Sequence, residues 1–344
     1  MSAPPTLRSL AKSLGVSRTT VSEALRGSAC VRPETAERIR KVAEAAGYRI
    51  NPLAGAVMSE LRRSSSNTFR GVIALLVLDE PGRPAYANKF YHEITHGAME
   101  SAKKLGFKTE SLTSSGKTGV SMSRLNQILD SRGIQGVVIL PVYGDPDFSG
   151  LDWTRFAGVY TDYSIRKPAL HSICPDHYRS LVRALQKLHE RGYKRPGLFM
   201  HRHTDERLLG RWQGAFLAFQ NSITEKRPVP PLVADEINVD NFKKWFARHN
   251  PDVVIGHQSE AIEWMQACGA RVPQTHGFFC LNMLRQHVPC AGLEQRTALI
   301  GARAVESVVA MLHRNERGIP EISSLTTIPS RWMDGPTVKG NAQG

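Results

Sequence analysis

The stretch Leu10-Ala11-Lys12-Ser13-Leu14-Gly15-Val16-Ser17-Arg18-Thr19-Thr20-Val21-Ser22-Glu23-Ala24-Leu25-Arg26-Gly27 divides into two short helical words around a glycine. Leu7, Leu10, Ala11 and Leu14 recur at helical spacing, with Thr6 placed to cap the first helix and Gly15 to stop it. Ser17 caps a second helix whose inward face is Thr20, Val21, Ala24 and Leu25, and Gly27 ends it. Two helices joined by a tight glycine turn pack almost perpendicular, so the second presents its first turn outward. Its outward residues Arg18, Thr19, Ser22 and Glu23 are polar, with the reach for base edges and phosphates in a DNA major groove. A purely structural helix pair with a solvated face would have the same spacing. The flanking sequence decides between the two.

Downstream, Pro33 and Glu34 open a third helix with an apolar face of Ala36, Ile39, Val42, Ala43 and Ala46, closed by Gly47. Asn51-Pro52-Leu53-Ala54-Gly55-Ala56-Val57-Met58-Ser59-Glu60-Leu61 follows as a short, weakly helical stretch, in which Gly55 costs about 1 kcal/mol of helix stability. Arg62-Arg63-Ser64-Ser65-Ser66-Asn67 reads as a polar linker. A helix this short does not hold alone in water, so a partner has to fold it. Charge points to that partner. The formal net charge is +14, and residues 1–70 hold 12 Lys+Arg against 5 Asp+Glu, half of the excess in a fifth of the chain. A basic terminal module on a more balanced body implies a polyanion, most simply nucleic acid.

From Gly71 the pattern changes to strands alternating with helices. Val72–Leu78 is a continuous apolar run, as a parallel strand covered on both faces requires. The periodicity predicts helices over 90–105, 121–131, 177–191, 206–220, 240–248, 259–268 and 298–313. It predicts strands over 107–112, 136–141, 158–162, 196–200, 252–256, 277–281 and 325–328. This alternation implies α/β architecture, two doubly wound units with a cleft between them.

Composition removes several classes. With 344 residues, 41% of them apolar and 22% charged, the chain is long enough for two or three packed domains. No apolar run approaches the roughly 18–20 residues of a membrane span, and the first residues lack the apolar core of a signal peptide, so a cytoplasmic location is expected. Cys30, Cys174, Cys268, Cys280 and Cys290 are odd in number and form no CxxC pair, which reads as incidental thiols. No GxGxxG or P-loop occurs, so no cofactor is expected. Ser259 near His257 lacks a nucleophile elbow, and His201-Arg202-His203 reads as a polar loop after a strand, not a metal site.

Gly15 to Gly27, Val31-Arg32-Pro33-Glu34-Thr35-Ala36-Glu37-Arg38-Ile39, Gly47-Tyr48 and Asn51-Pro52-Leu53-Ala54 together resemble the LacI/GalR family of bacterial transcriptional regulators. The likeness is dense over 6–58. It continues more thinly through Val159-Tyr160-Thr161-Asp162, Asp176 with Arg191-Gly192-Tyr193, Arg211 with Gly214 and Ala218, and Ala291-Gly292-Leu293-Glu294-Gln295. The resemblance implies a dimer on a pseudo-palindromic operator, with DNA contacts at Thr6, Ser17, Arg18, Thr19, Thr20, Ser22, Glu23, Arg26, Asn51, Leu53 and Ala54. It also implies hinge helices whose Val57 and Met58 wedge into the minor groove, with Leu61 able to share that role. Glu23 stands where many relatives have Arg, so base preference differs there.

The resemblance further implies a body like the periplasmic sugar-binding proteins, with a small effector, a sugar or derivative, in the cleft. Phe90, Tyr91, Asp162, Arg211, Asn282 and Glu294 are its candidate contacts. Gly256-His257-Gln258 and Gly277-Phe278-Phe279-Cys280 depart from the family pattern, so no contacts are carried over there. The expected division is a helix-turn-helix domain (1–50), a hinge and linker (51–70), a first body unit (71–162 with 292–322) and a second (163–291 with 323–335). The expected function is a DNA-binding repressor gated by a small molecule, not an enzyme. The competing reading is a solute-binding protein or α/β enzyme with an appended helical module. It calls for a signal peptide or a catalytic constellation, and the sequence offers neither.

Overall fold

A computed structural model describes residues 7–25, 31–46, 70–79, 85–115, 121–142, 144–223 and 227–340. Three helices come first: α1 (Leu7–Leu14), α2 (Arg18–Leu25) and α3 (Pro33–Ala45). Gly15, at φ +67°, takes the left-handed turn between α1 and α2 that a side chain would resist. Ser17 Oγ accepts the Thr20 backbone N–H at 3.0 Å and so caps α2. Leu10, Ala11, Val21, Ala24, Ala36, Ile39 and Ala43 close a small core, with Val42 at its edge. Ala46, expected on the inward face of α3, is exposed, because α3 ends at Ala45 and the chain leaves the core there.

The body has two six-stranded sheets. The first, ordered β11-β5-β4-β3-β1-β2, uses β1 (Gly71–Asp79), β2 (Phe107–Ser115), β3 (Gly136–Ile139), β4 (Ala157–Tyr160), β5 (His171–Pro175) and β11 (Leu325–Ile328). The second, ordered β12-β10-β9-β8-β6-β7, uses β6 (Pro196–His201), β7 (Leu232–Ala234), β8 (Val253–Gly256), β9 (Gly277–Cys280), β10 (Ala291–Glu294) and β12 (Arg331–Met333). All pairings are parallel except β10 with β12. Parallel neighbours need crossovers, and helices supply them.

Against the first sheet lie α4 (Ala85–Lys104), α5 (Met122–Ser131) and α11 (Thr297–Arg314). Helices α4 and α11 approach so closely that a Cβ on Gly301 would stand 2.0 Å from the Ile94 carbonyl oxygen, and one on Gly97 would stand 1.8 Å from that of Ala298. The second sheet is flanked by α6 (His177–Glu190), α8 (Arg211–Ser222), α9 (Val239–His249) and α10 (Ala261–Gln266). A single helix was expected over 206–220. Instead α7 (Arg202–Arg207) ends, Leu209 and Gly210 both adopt positive φ (57° and 68°), and α8 begins.

The sheet memberships shift the expected boundaries of the body. The chain crosses between sheets after β5, between β10 and α11, and between β11 and β12. Strand β5 therefore belongs with the first unit although 163–291 was expected in the second, and β11 likewise although 323–335 was. Strand β10 belongs with the second sheet, although 292–322 was expected in the first unit. The reason is pairing: β11 runs parallel to β5 from Leu325 opposite Ser172, while β12 closes antiparallel on β10. The strands at 171–175, 232–234, 291–294 and 331–333 have no counterpart in the sequence reading. The expected hinge at 51–61 lies outside the described residues. Among the described residues no helix is long and apolar enough to cross a membrane.

Candidate functional site

The cleft lies at the carboxyl ends of the parallel strands, where open α/β sheets place their ligands. Helix α4 sends Phe90 and Tyr91 into it from the first lobe, and Pro141, Val142, Thr161 and Asp162 follow β3 and β4. From the second lobe come His177 at the start of α6, Thr204 and Arg207 on α7, and Trp212 on α8. His257 after β8, Asn282 after β9 and Gln295 after β10 complete that wall.

Asp162 and Arg207 join the two sides. Arg207 Nη1 donates to Asp162 Oδ2 at 2.8 Å and to the Val142 carbonyl at 3.1 Å. Asp162 also accepts the backbone N–H groups of Val142 (3.2 Å), Tyr163 (2.6 Å) and Ser164 (3.2 Å). With the carboxylate 4% exposed, these four donors occupy both oxygens. Asp162 thus lines the cleft as expected, yet its hydrogen-bonding capacity is directed at the protein itself.

The floor is aromatic. Trp212, fully buried, has its ring centroid 4.6 Å from His177 and 5.9 Å from His257. Burial, with Arg207 and Arg211 nearby, pushes the His177 imidazole down to about 3. Burial also holds His257 well below the usual histidine range, reinforced by Arg285, His177, His201 and Arg207. Both rings are therefore neutral at pH 7 and pack as flat, weakly polar surfaces. His177 Nδ1 and Trp212 Nε1 are buried with no hydrogen-bond partner among the described residues. Such atoms cost about 1–3 kcal/mol each, a debt that a ligand can relieve.

The other expected contacts divide. Asn282 lines the cleft, and its side chain accepts the Leu284 N–H at 3.0 Å, fixing the turn Met283–Arg285. Arg211 does not line it: the guanidinium lies 4.2 Å from the centroid of the Tyr163 ring. Glu294 is absent from the lining too, accepting the Arg296 N–H at 2.7 Å and pairing with Arg331 at 3.2 Å. Arg207, His177, Trp212 and Arg285 are among the cleft residues that sequence reasoning missed. For Arg207 a signal existed, because Arg207-Leu208-Leu209-Gly210 and Arg211-Trp212-Gln213-Gly214 are two consecutive Arg-x-x-Gly words. Only the break after α7 shows that the first faces the ligand space.

In the helical module, Ser17 caps α2, and Thr20 is half-buried with its hydroxyl 2.8 Å from that of Ser17. Glu23 is half-buried on α2. The side chains of Arg18, Thr19 and Ser22 lie outside the described set, as do residues Thr6, Arg26, Asn51, Leu53, Ala54, Val57 and Met58.

Residues 6–51 match the family described as bacterial regulatory proteins, lacI family. The N-terminal module of this chain is thus a lacI-family domain. Among curated proteins the chain is 28% identical over 194 residues to the HTH-type transcriptional regulator CelR of Thermobifida fusca, covering 56% of this chain and 54% of that protein. It is 32% identical over 142 residues to the maltose regulon regulatory protein MalI of Escherichia coli K12, covering 41% and 37%. The chain thus spans about half the length, or less, of the curated relatives it matches. These relatives are named as regulators, not enzymes.

Two solved structures show the same fold over nearly the whole chain. A transcriptional regulator CelR–cellobiose complex superposes with a TM-score of 0.56 at 22% identity, covering 97% of this chain and 99% of that one. A lac repressor dimer bound to operator and the anti-inducer ONPF gives 0.55 at 16% identity, covering 98% and 100%.

Proposed function

We propose that this chain is a sequence-specific, DNA-binding transcriptional repressor that works as a dimer on a pseudo-palindromic operator. A small hydroxyl-rich molecule of the sugar type, bound in the cleft, switches its operator affinity. One observation carries the reading: a Ser17-capped helix α2, set by the Gly15 turn against α1, sits on the same chain as a two-lobed cleft with unsatisfied polar atoms in its floor. Helix α2 enters the major groove, where Arg18, Thr19, Ser22 and Glu23 read base edges while Ser17, Thr20 and Arg26 serve the phosphates. Asn51, Leu53 and Ala54 position the hinge, and Val57 with Met58 wedges the minor groove. A ligand that prefers one arrangement of the lobes shifts the population competent for DNA, and only as far as that preference allows. Support for a sugar comes from the aromatic walls, the neutral His177 and His257, and a solved CelR–cellobiose complex of the same fold.

DNA selected from a random pool, followed by gel shifts at two salt concentrations, tests the reading. The expected result is a steep salt dependence plus a preference over random DNA, with Arg18→Ala weakening the selected site by about 1–3 kcal/mol and leaving random DNA nearly unchanged. Binding with no preference and no salt dependence overturns it.

A further inference from the structure

The second lobe contains a cavity that the cleft residues above leave unused. It encloses about 770 Å³ of empty space, close to the 800 Å³ or so of the cleft, and His201, His287, Gln258 and Glu260 bound it on the far side. His203, Thr204, His257 and Arg285 line both spaces, so the two share one wall. A molecule too long for the cleft meets this annex first.

Its chemistry is specific. Gln258 Oε1 and Glu260 Oε2 are buried with no hydrogen-bond partner among the described residues, while Glu260 Oε1 stands 3.4 Å from His287 Nε2. His201 Nδ1 lies 3.2 Å from the Asp235 carbonyl and so is the donor there. The annex therefore asks for hydrogen-bond donors. An ammonium group would supply them, but it would enter beside Arg285. An anion would face Glu260 and the two orphaned oxygens. His203 is held below the usual histidine range by burial and by His201, Arg285 and Arg207, with Glu206 opposing, so added positive charge is resisted here. A hydroxyl group fits where neither ion does, because it donates to Gln258 or Glu260 and accepts from an imidazole or guanidinium N–H. The His201 and His203 rings, 5.5 Å apart, add flat faces for C–H surfaces.

We infer that this annex is a second subsite, taking an uncharged hydroxyl-rich unit joined to the one in the cleft, so that the effector has at least two sugar units. The inference rests on the sugar reading of the cleft.

Calorimetric titration of the full chain tests it, using glucose, galactose, mannose and xylose together with the 1,4-linked disaccharide of each. One disaccharide is expected to bind at least about tenfold tighter than its own monosaccharide, the gain from one or more buried hydrogen bonds. Glu260→Gln places a donor where an acceptor is needed, and Gln258→Trp fills the annex. Each is expected to remove most of that tenfold advantage while leaving monosaccharide affinity within about twofold, which also certifies the fold. A monosaccharide that binds as tightly as its disaccharide overturns the subsite, and so do variants that weaken both alike; the sugar reading survives either result. If no sugar in the panel binds, the sugar reading itself falls and the subsite falls with it.

Discussion

The two walls of the cleft are built from the same kind of sheet and spend their polar atoms in opposite ways. The first-lobe wall is finished: Phe90, Pro141 and Val142 are apolar, and both oxygens of Asp162 are occupied by protein donors. The second-lobe wall is open, with His177 Nδ1 and Trp212 Nε1 both lacking partners among the described residues. A finished wall contributes shape and rigidity, whereas an open wall contributes discrimination, because buried polar atoms reject any molecule that leaves them unpaired. Under the proposed function, the difference gives ligand choice to the second lobe and mechanical support to the first.

The largest effect that can break this contrast is on the first lobe. Gly301→Val forces α11 away from the Ile94 carbonyl, where even a Cβ would stand at 2.0 Å. A loss of about 3 kcal/mol is expected, lowering the thermal midpoint by roughly 6–12 °C. A shift below about 2 °C would show that the α4–α11 contact is soft, and the first lobe would lose its claim to rigidity.

Acid acts on the other lobe. His177 titrates near 3 in the folded protein and near 6.5 when unfolded, so between those values only the unfolded chain binds the proton. Stability contributed by the neutral ring is intact above about pH 6.5 and falls as the pH drops toward 3, by about 2 kcal/mol between pH 7 and pH 5. His257, shifted the same way, adds to this slope. Urea unfolding at both pH values, on the parent and on His177→Phe, should show a smaller pH dependence in the variant. Equal dependence would remove the neutral ring from the cleft floor.

The smallest effect is on the link between the walls. Arg207→Gln keeps a donor but removes the charge facing Asp162, and should lower stability by about 1.5 kcal/mol. In a double-mutant cycle with Asp162→Asn the coupling should reach at least about 0.5 kcal/mol. Full additivity would mean that the lobes are held together elsewhere.

The helical module was readable almost residue by residue, because caps, glycine stops and helical periodicity are local. Ser17, Gly15 and the Leu10–Val21–Ile39 core follow from spacing alone, and Ala46 failed only because α3 ends one residue earlier. Long apolar strands such as β1 were equally plain. The strands β5, β7, β10 and β12 were not, being three to five residues long, and β7 and β12 lie at sheet edges. The left-handed pair Leu209-Gly210 leaves no trace in hydrophobic periodicity, and it decides that Arg207, not Arg211, faces the ligand space. The cleft gathers residues that follow eight different strands, so its membership depends on topology and not on any local word. Asp162 lines the cleft, and its saturation by four donors becomes visible only once Val142 and Arg207 are brought to it.

The three crossings between sheets have a consequence for how the chain matures during synthesis. Neither sheet is contiguous in sequence: the first waits for β11 at 325–328 and the second for β12 at 331–333. The ribosome releases the α1–α3 module some 280 residues before either sheet can be completed. At roughly 5–20 residues per second this leaves the basic module folded for many seconds while the body is still open-edged. A nascent chain therefore has its helical head well before it has a closed cleft.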